Sequence, residues 1–396
     1  MRRRLPPSAV AVMAAMWFAG PAAGAPVKSK QAQLPPYAGA YQPQGVDERG
    51  IWMEADEDER ALRDSRFVIH DAPLEGFIHG VLCRTVGADR CNGVRIYIVR
   101  VAAPNADMAP NGFMRIWTGL LLRVRSEAEL GAVLAHEFGH FEERHTLAAY
   151  RQQRRAGDIA AWASFLGSGG AIVQMSAIGS IFSFNRNQER AADSRAFVYL
   201  ASSPYRPGAA ADFWERMMDE ADATAAGRKQ RSHRYDRVAF FATHPPDLER
   251  ATTLRARAVK EGDEGEDAVA GYRSALAKWR PEFLADQLKL NDFAGSEYLL
   301  GQLAEDGWTA DLLFARGELY RLRGNPRDLV SAAQFYRDAI AQGATDPAVH
   351  KSLGMVLIRS NSSAEGRQAL QHYLALAPDA KDASMISALI EQSQSQ

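Results

Sequence analysis

The chain is poor in cysteine: 396 residues contain only Cys83 and Cys91, with seven residues between them. That spacing does not suit a zinc knuckle and no histidine lies between the two, so the pair is not expected to bind metal. In an oxidising compartment the two are expected to form a disulfide that staples a helix end to the next loop. Charge of one sign is also lacking. The formal net charge is −1, or −4 without Arg2, Arg3 and Arg4, which excludes a strongly basic, nucleic-acid-binding character. Long apolar runs are missing as well: Ala9 to Ala19 covers only eleven residues, whereas a bilayer span takes about 20. The 26 residues from Ile159 to Phe184 carry no charge, but they are rich in glycine and serine, include Gln174 and are interrupted by Gly167-Ser168-Gly169-Gly170. This stretch reads as two buried or site-covering helices, with a peripheral membrane contact as the rival reading.

What the N-terminus does contain is the pattern of a secretory signal over residues 1–25. Three arginines precede the short apolar run, and Ala23-Gly24-Ala25 offers a small-residue cleavage site ahead of an unfavourable Pro26. No cysteine follows the run, which argues against a lipoprotein anchor. Export is the expectation, and both cysteines remain afterwards.

Histidine is sparse, nine in all, yet two stand in His136-Glu137-Phe138-Gly139-His140. On a helix, residues four apart share a face, so both imidazoles can bind one metal ion with Glu137 beside it. This is the pattern of a zinc hydrolase with the glutamate as general base. Ser126 with Glu129 reads as a capping box, and Leu130, Val133, Leu134, Phe138 and Phe141 follow at helical spacing. One amphipathic helix is therefore expected from about Glu127 to the Arg154 region. His145, five residues after His140, is expected to point off the metal face toward the surface.

Catalytic zinc takes three protein ligands, and the best third candidate is Glu189 in Asn185-Arg186-Asn187-Gln188-Glu189-Arg190-Ala191-Ala192-Asp193. On a helix Glu189 and Asp193 share a face, with Asp193 placed to accept an N–H from a ligand histidine. Taken alone, such a pair is more readily a solvated face. His244, followed by Pro245 and Pro246, belongs in a rigid loop or at a helix start. It is read as steadying an oxyanion, as a replaceable fourth zinc ligand, or as a simple helix cap.

Five segments are expected. After the signal, residues 26–64 form an N-terminal arm and an acidic helix. Residues 65–260 hold the metal site, with a helix around Leu74 to Leu82, a strand over 94–101 and a second strand around Met114 to Thr118. That second strand is a candidate for pairing with an extended substrate. An acidic, glycine-rich linker, 261–267, precedes an all-helical tail, 268–396. Gly317 and Gly354 are 37 residues apart, as are Tyr336 and Tyr373, echoing the helix pairs of tetratricopeptide repeats, with an unrelated helical bundle as the alternative.

The ordered set His136-Glu137-Phe138-Gly139-His140, Asn185-Arg186 leading to Glu189 and Asp193, and Thr243-His244-Pro245-Pro246 resembles the prenyl-protease-like zinc metallopeptidases. Asn105-Ala106 and Gly119-Leu120-Leu121 are similar to that family too, and the likeness covers about residues 65–260. With the export signal and the helical tail, the chain resembles the family's periplasmic, tetratricopeptide-bearing branch. The resemblance implies an α+β, mostly helical gluzincin-type domain with a small sheet, followed by an all-α tail. It implies one zinc ion on His136, His140 and Glu189, Glu137 as base, and Asp193 as a support or proton donor. It also implies a periplasmic endopeptidase that acts on unfolded or misassembled envelope proteins and meets the outer-membrane assembly machinery through its tail. The rival reading is a chaperone or assembly scaffold in which proteolysis is secondary. Asn185 stands where the family commonly has serine, with no expected effect on the chemistry.

Overall fold

Apolar side chains alternate along the two long strands, and both faces of the resulting sheet are covered. A computed structural model describes residues 34–39, 41–155, 184–232 and 248–393. The signal segment, the uncharged stretch as far as residue 183 and His244 lie outside the described residues. Strands β1 (Val68–Ile69), β2 (Arg95–Val99), β3 (Ala106–Met108) and β4 (Phe113–Trp117) form one sheet in the order β1-β2-β4-β3. β2 and β4 run parallel, and the outer pairs are antiparallel. Ile98, Met114 and Ile116 enter the main core with helix α2 (Ala72–Val86), while Val99 and Phe113 face Ala55 and Leu62 of helix α1 (Gly45–Arg63). Across β3 and β4 the buried Arg115 and Asp107 pair at 2.9 Å.

This topology corrects one expectation. Met114 to Thr118 falls largely in β4, whose backbone is engaged by β2 on one side and β3 on the other. It has no edge to offer a substrate, because β3 occupies that border of the sheet.

Cys83 and Cys91 are joined by a disulfide that fastens α2 to the short helix α3 (Ala88–Cys91). Helix α4 (Thr118–Arg123) leads from β4 into the metal-motif helix α5 (Glu127–Glu142). Ser126 caps α5 by accepting the Glu129 N–H at 3.1 Å, but the Glu129 carboxylate takes the Arg125 N–H, so only half of the expected capping box forms. α5 also ends earlier than expected. Arg144 is left-handed (φ 56°) and separates α5 from α6 (His145–Arg155). Its guanidinium lies 4.8 Å over the Tyr41 ring and 3.6 Å from Glu48, ties that hold the residue in the turn against its α-helical preference.

Helices α7 (Arg186–Ala201), α8 (Ala209–Gly227) and α9 (Leu248–Glu261) complete the first part, and α7 and α8 pack on α5. Asn185 starts α7 with a capping box: its side chain accepts the Asn187 and Gln188 N–H groups, and Gln188 accepts the Asn185 N–H. The acidic segment 261–267 is stitched down, since Glu266 exchanges backbone hydrogen bonds with Pro204 and Arg206 while Arg206 holds Asp263 and Asp267.

The described residues beyond it form helices α10 (Val269–Leu276), α11 (Arg280–Leu288), α12 (Phe293–Leu303), α13 (Ala310–Arg323), α14 (Pro326–Ala341), α15 (Ala348–Arg359), α16 (Ser363–Leu376) and α17 (Ala383–Gln392). The main core continues through Tyr272, Phe283, Leu312 and Leu319, and the buried Arg123 guanidinium joins Glu220 of α8 to Gln287 of α11. α13 packs on α14, and α15 on α16. Tyr336 and Tyr373 occupy the same position in their helices, ten residues from the start. Among the described residues, no helix is long and apolar enough to cross a membrane.

Gly317 marks how closely α13 and α14 approach, because a Cβ there would meet the Tyr336 ring at 2.4 Å. Gly317→Ala gains about 1 kcal/mol of helix propensity but overpacks the interface at a cost of about 1–3 kcal/mol. Its net effect on urea unfolding should be destabilising. Gly301, with open space around its Cβ position, should instead gain up to about 1 kcal/mol when replaced by alanine.

Candidate metal centre

The four-residue spacing of α5 brings the Nε2 atoms of His136 and His140 to 3.1 Å from one another. α7 crosses against them, and Gly139 allows the approach: a Cβ there would stand 3.3 Å from the Ala192 backbone. The crossing delivers Glu189, with Oε2 3.4 Å from His136 Nε2 and Oε1 3.7 Å from His140 Nε2. All three side chains are buried. A tetrahedral ion with bonds of about 2.0–2.1 Å has ligand-to-ligand edges of about 3.3 Å. The imidazole nitrogens stand 3.1 Å apart with one Glu189 oxygen turned toward each, so one ligand atom from each side chain lies within 4.8 Å of the others, close enough to share such an ion, and two imidazoles with a carboxylate are a known donor set for catalytic zinc. Glu137 is buried one residue after His136. It lines a cavity of about 20 Å³ with His136, Asp193, Ala106, Val133 and Trp214, enough room for one water.

The surrounding side chains orient these groups. His136 Nδ1–H donates to Asp193 Oδ1 at 2.9 Å, which turns Nε2 toward the ligand triangle. Arg250 of α9, buried and lying 4.3 Å over the Trp214 ring, grips Asp193 through Nε (2.7 Å) and Nη2 (2.6 Å) and reaches Glu189 Oε2 with Nη1 at 2.9 Å. Burial alone would raise the Asp193 pKa, but Arg250 and then His136 hold it at about 2. Asp193 is therefore an anion at neutral pH, suited to accept a proton-bearing N–H and unsuited to donate one. Burial and Arg250 work to lower the His136 pKa, yet the hydrogen bonds to Asp193 and Glu189 carry it upward.

His145 is a correction. It is only 8 % exposed, and its Nδ1 lies 2.9 Å from His140 Nδ1. The break at Arg144 reverses the chain and returns this ring to the back of the motif. Either the His140 Nδ1–H donates to it or the reverse, and a donating His140 leaves its Nε2 lone pair facing the triangle. Phe184 stacks on the His140 ring, 4.0 Å between centroids, and Gln188 donates to the His145 carbonyl at 3.3 Å. Arg250 also escaped the sequence reading. A lone arginine opening a helix reads as surface, and its only signal is that it follows His244 by six residues.

Residues 78–258 match Peptidase family M48. This chain carries an M48 metallopeptidase domain. It is 29 % identical over 217 residues to a "Putative beta-barrel assembly-enhancing protease" of Vibrio cholerae serotype O1, covering 50 % of this chain and 42 % of that one. It is 29 % identical over 182 residues to the mitochondrial metalloendopeptidase OMA1 of Schizosaccharomyces pombe, covering 45 % and 51 % of the two chains. It is 27 % identical over 179 residues to the beta-barrel assembly-enhancing protease of Escherichia coli K12, covering 41 % and 36 %. The matches thus span about half or less of those relatives. The M48 domain contains the ligand triangle, Glu137, Asp193, His145 and Arg250.

If His145 sets the tautomer of His140, His145→Ala should weaken zinc binding by about 10- to 100-fold in a chelator competition while the circular dichroism spectrum is retained. An unchanged affinity would show that the ring only fills space.

Proposed function

We propose that this chain is a zinc-dependent endopeptidase of the periplasm, acting on unfolded or misassembled envelope and outer-membrane proteins. The observation that carries the reading is the buried His136–His140–Glu189 triangle with Glu137 on the adjoining water-sized cavity. Zinc held by the three ligands supplies Lewis-acid polarisation of the scissile carbonyl and acidifies water. Glu137 accepts the proton of the attacking water and passes it to the leaving amine. Asp193, fixed as an anion by Arg250, holds His136 in the ligating tautomer, so its role is positioning rather than proton donation. The signal-like N-terminus and the Cys83–Cys91 disulfide support an exported, oxidising setting.

The paired helices of the tail, with Tyr336 and Tyr373 in matching positions, support a tetratricopeptide-like arrangement. A groove of about 830 Å³ with Leu284, Asp311, Phe314, Glu318 and Val349 on its walls is suited to a peptide segment of a substrate or of the outer-membrane assembly machinery. Because this groove far exceeds the cavity beside Glu137, a scaffold role with secondary proteolysis is the second reading.

Glu137→Gln should retain one zinc per chain and lose casein cleavage by at least about 10²-fold. Residual wild-type cleavage would refute the assignment of the base. If the same variant still supports outer-membrane protein assembly in cells, the scaffold reading prevails. Removing zinc with a chelator should abolish cleavage, and returning zinc should restore it.

A further inference from the structure

A second group of metal-ligating side chains lies apart from the M48 site. The ligand atoms of His79, Cys83 and Cys91 all fall within 4.8 Å of one another. His79 lies outside the interval between the cysteines, four residues before Cys83, so both project from one face of α2. His79 Nδ1 is 3.5 Å from Cys83 Sγ, and His79 Nε2 is 3.3 Å from the Cys91 carbonyl oxygen. A carbonyl only accepts, so Nε2 carries the hydrogen and the Nδ1 lone pair faces the sulfur. Fixing one imidazole nitrogen on a backbone carbonyl is the usual way a ligating histidine is oriented. Bonds of about 2.0 Å to nitrogen and 2.3 Å to sulfur place such atoms about 3.5 Å apart around a tetrahedral ion. Cys91 is fully buried, whereas His79 and Cys83 are half-buried and accessible to a reductant and an ion.

We propose that this cluster has two alternative closed states: the Cys83–Cys91 disulfide and, after reduction, a Cys₂His site for zinc or a similar thiolate-seeking divalent ion. A dithiol supplies the two electrons and two protons that break the S–S bond, and itself becomes a disulfide. The two thiols then bind the ion as thiolates and release two protons to solvent. His79 gives its Nδ1 lone pair without losing a proton, and water takes the fourth position. The exchange keeps α3 fastened to α2 in either redox state. That attachment matters to the M48 domain, since α3 carries Arg90 over the rings of Tyr37 and Tyr199, and Tyr199 belongs to the same helix as Glu189.

The test uses cobalt as the probe on the full chain, oxidised or reduced anaerobically with a dithiol that is then removed. The reduced chain should develop thiolate-to-cobalt charge-transfer absorption, the oxidised chain should not, and zinc should bleach the band. The His136–His140–Glu189 triangle contains no sulfur, so this readout is independent of the catalytic site and of its assignment. His79→Ala and His79→Gln should each weaken cobalt binding at the band by at least about tenfold. Cys83→Ser should abolish the band, but the comparison of the two redox states of the native sequence does not depend on that variant folding. A reduced chain without charge-transfer absorption, or one whose affinity is unchanged by both His79 substitutions, would overturn the proposal.

Discussion

The charge balance of a nearly dry site constrains everything around it. Glu137, Glu189 and Asp193 bring three formal negative charges into the interior, and Arg250 returns one positive charge. An ionised carboxylate moved out of water costs several kcal/mol unless it is paired and hydrogen-bonded. Arg250 supplies much of that pairing, with a two-point hydrogen-bonded grip on Asp193 and an ion pair to Glu189. These four side chains are left with a formal excess of two negative charges beside two imidazoles, the complement of a divalent cation. The domain therefore has to hold α9, which carries the arginine, as firmly as α5 and α7, which carry the ligands.

Packing meets that requirement at a few contacts. Gly139, between the motif's two histidines, lets the backbone of α7 come close enough for a glutamate to reach across. The capping box at Asn185 fixes where α7 begins and hence which turn presents Glu189. Arg144 ends α5 one turn after His140, so that His145 can fold back and Phe184 can stack on the ring. Each contact acts on a side chain that touches the ligand triangle rather than adding a ligand of its own.

The two histidines of the candidate triangle were legible in local spacing, His140 standing four positions after His136, whereas Glu189 stood out from an ordinary solvated face only through the family resemblance. The α2 helix and the two long strands were legible from their apolar periodicity, to within a few residues at the ends. What failed to show depends on contacts between distant segments. The end of α5 is decided by Arg144 meeting Tyr41 and Glu48 roughly a hundred residues upstream, while the local sequence continues a helical pattern. The burial of His145 follows from that break. β4 reads as a good strand, but nothing within it says that β2 and β3 occupy both its sides. Arg250 is an ordinary helix-starting arginine until the buried carboxylates of another helix surround it.

The stitched acidic segment and the core shared by both halves have a mechanical consequence. Arg123 binding Glu220 and Gln287, and Arg100 binding Asp286, join the first tail helices to the sheet-bearing half. A fixed spacing works as a ruler. Were an extended polypeptide held in the tail groove, each residue would cover about 3.3–3.6 Å toward the zinc ligands. The scissile bond would then be selected by its count along the chain from the point of grip, with little regard to the side chains that flank it.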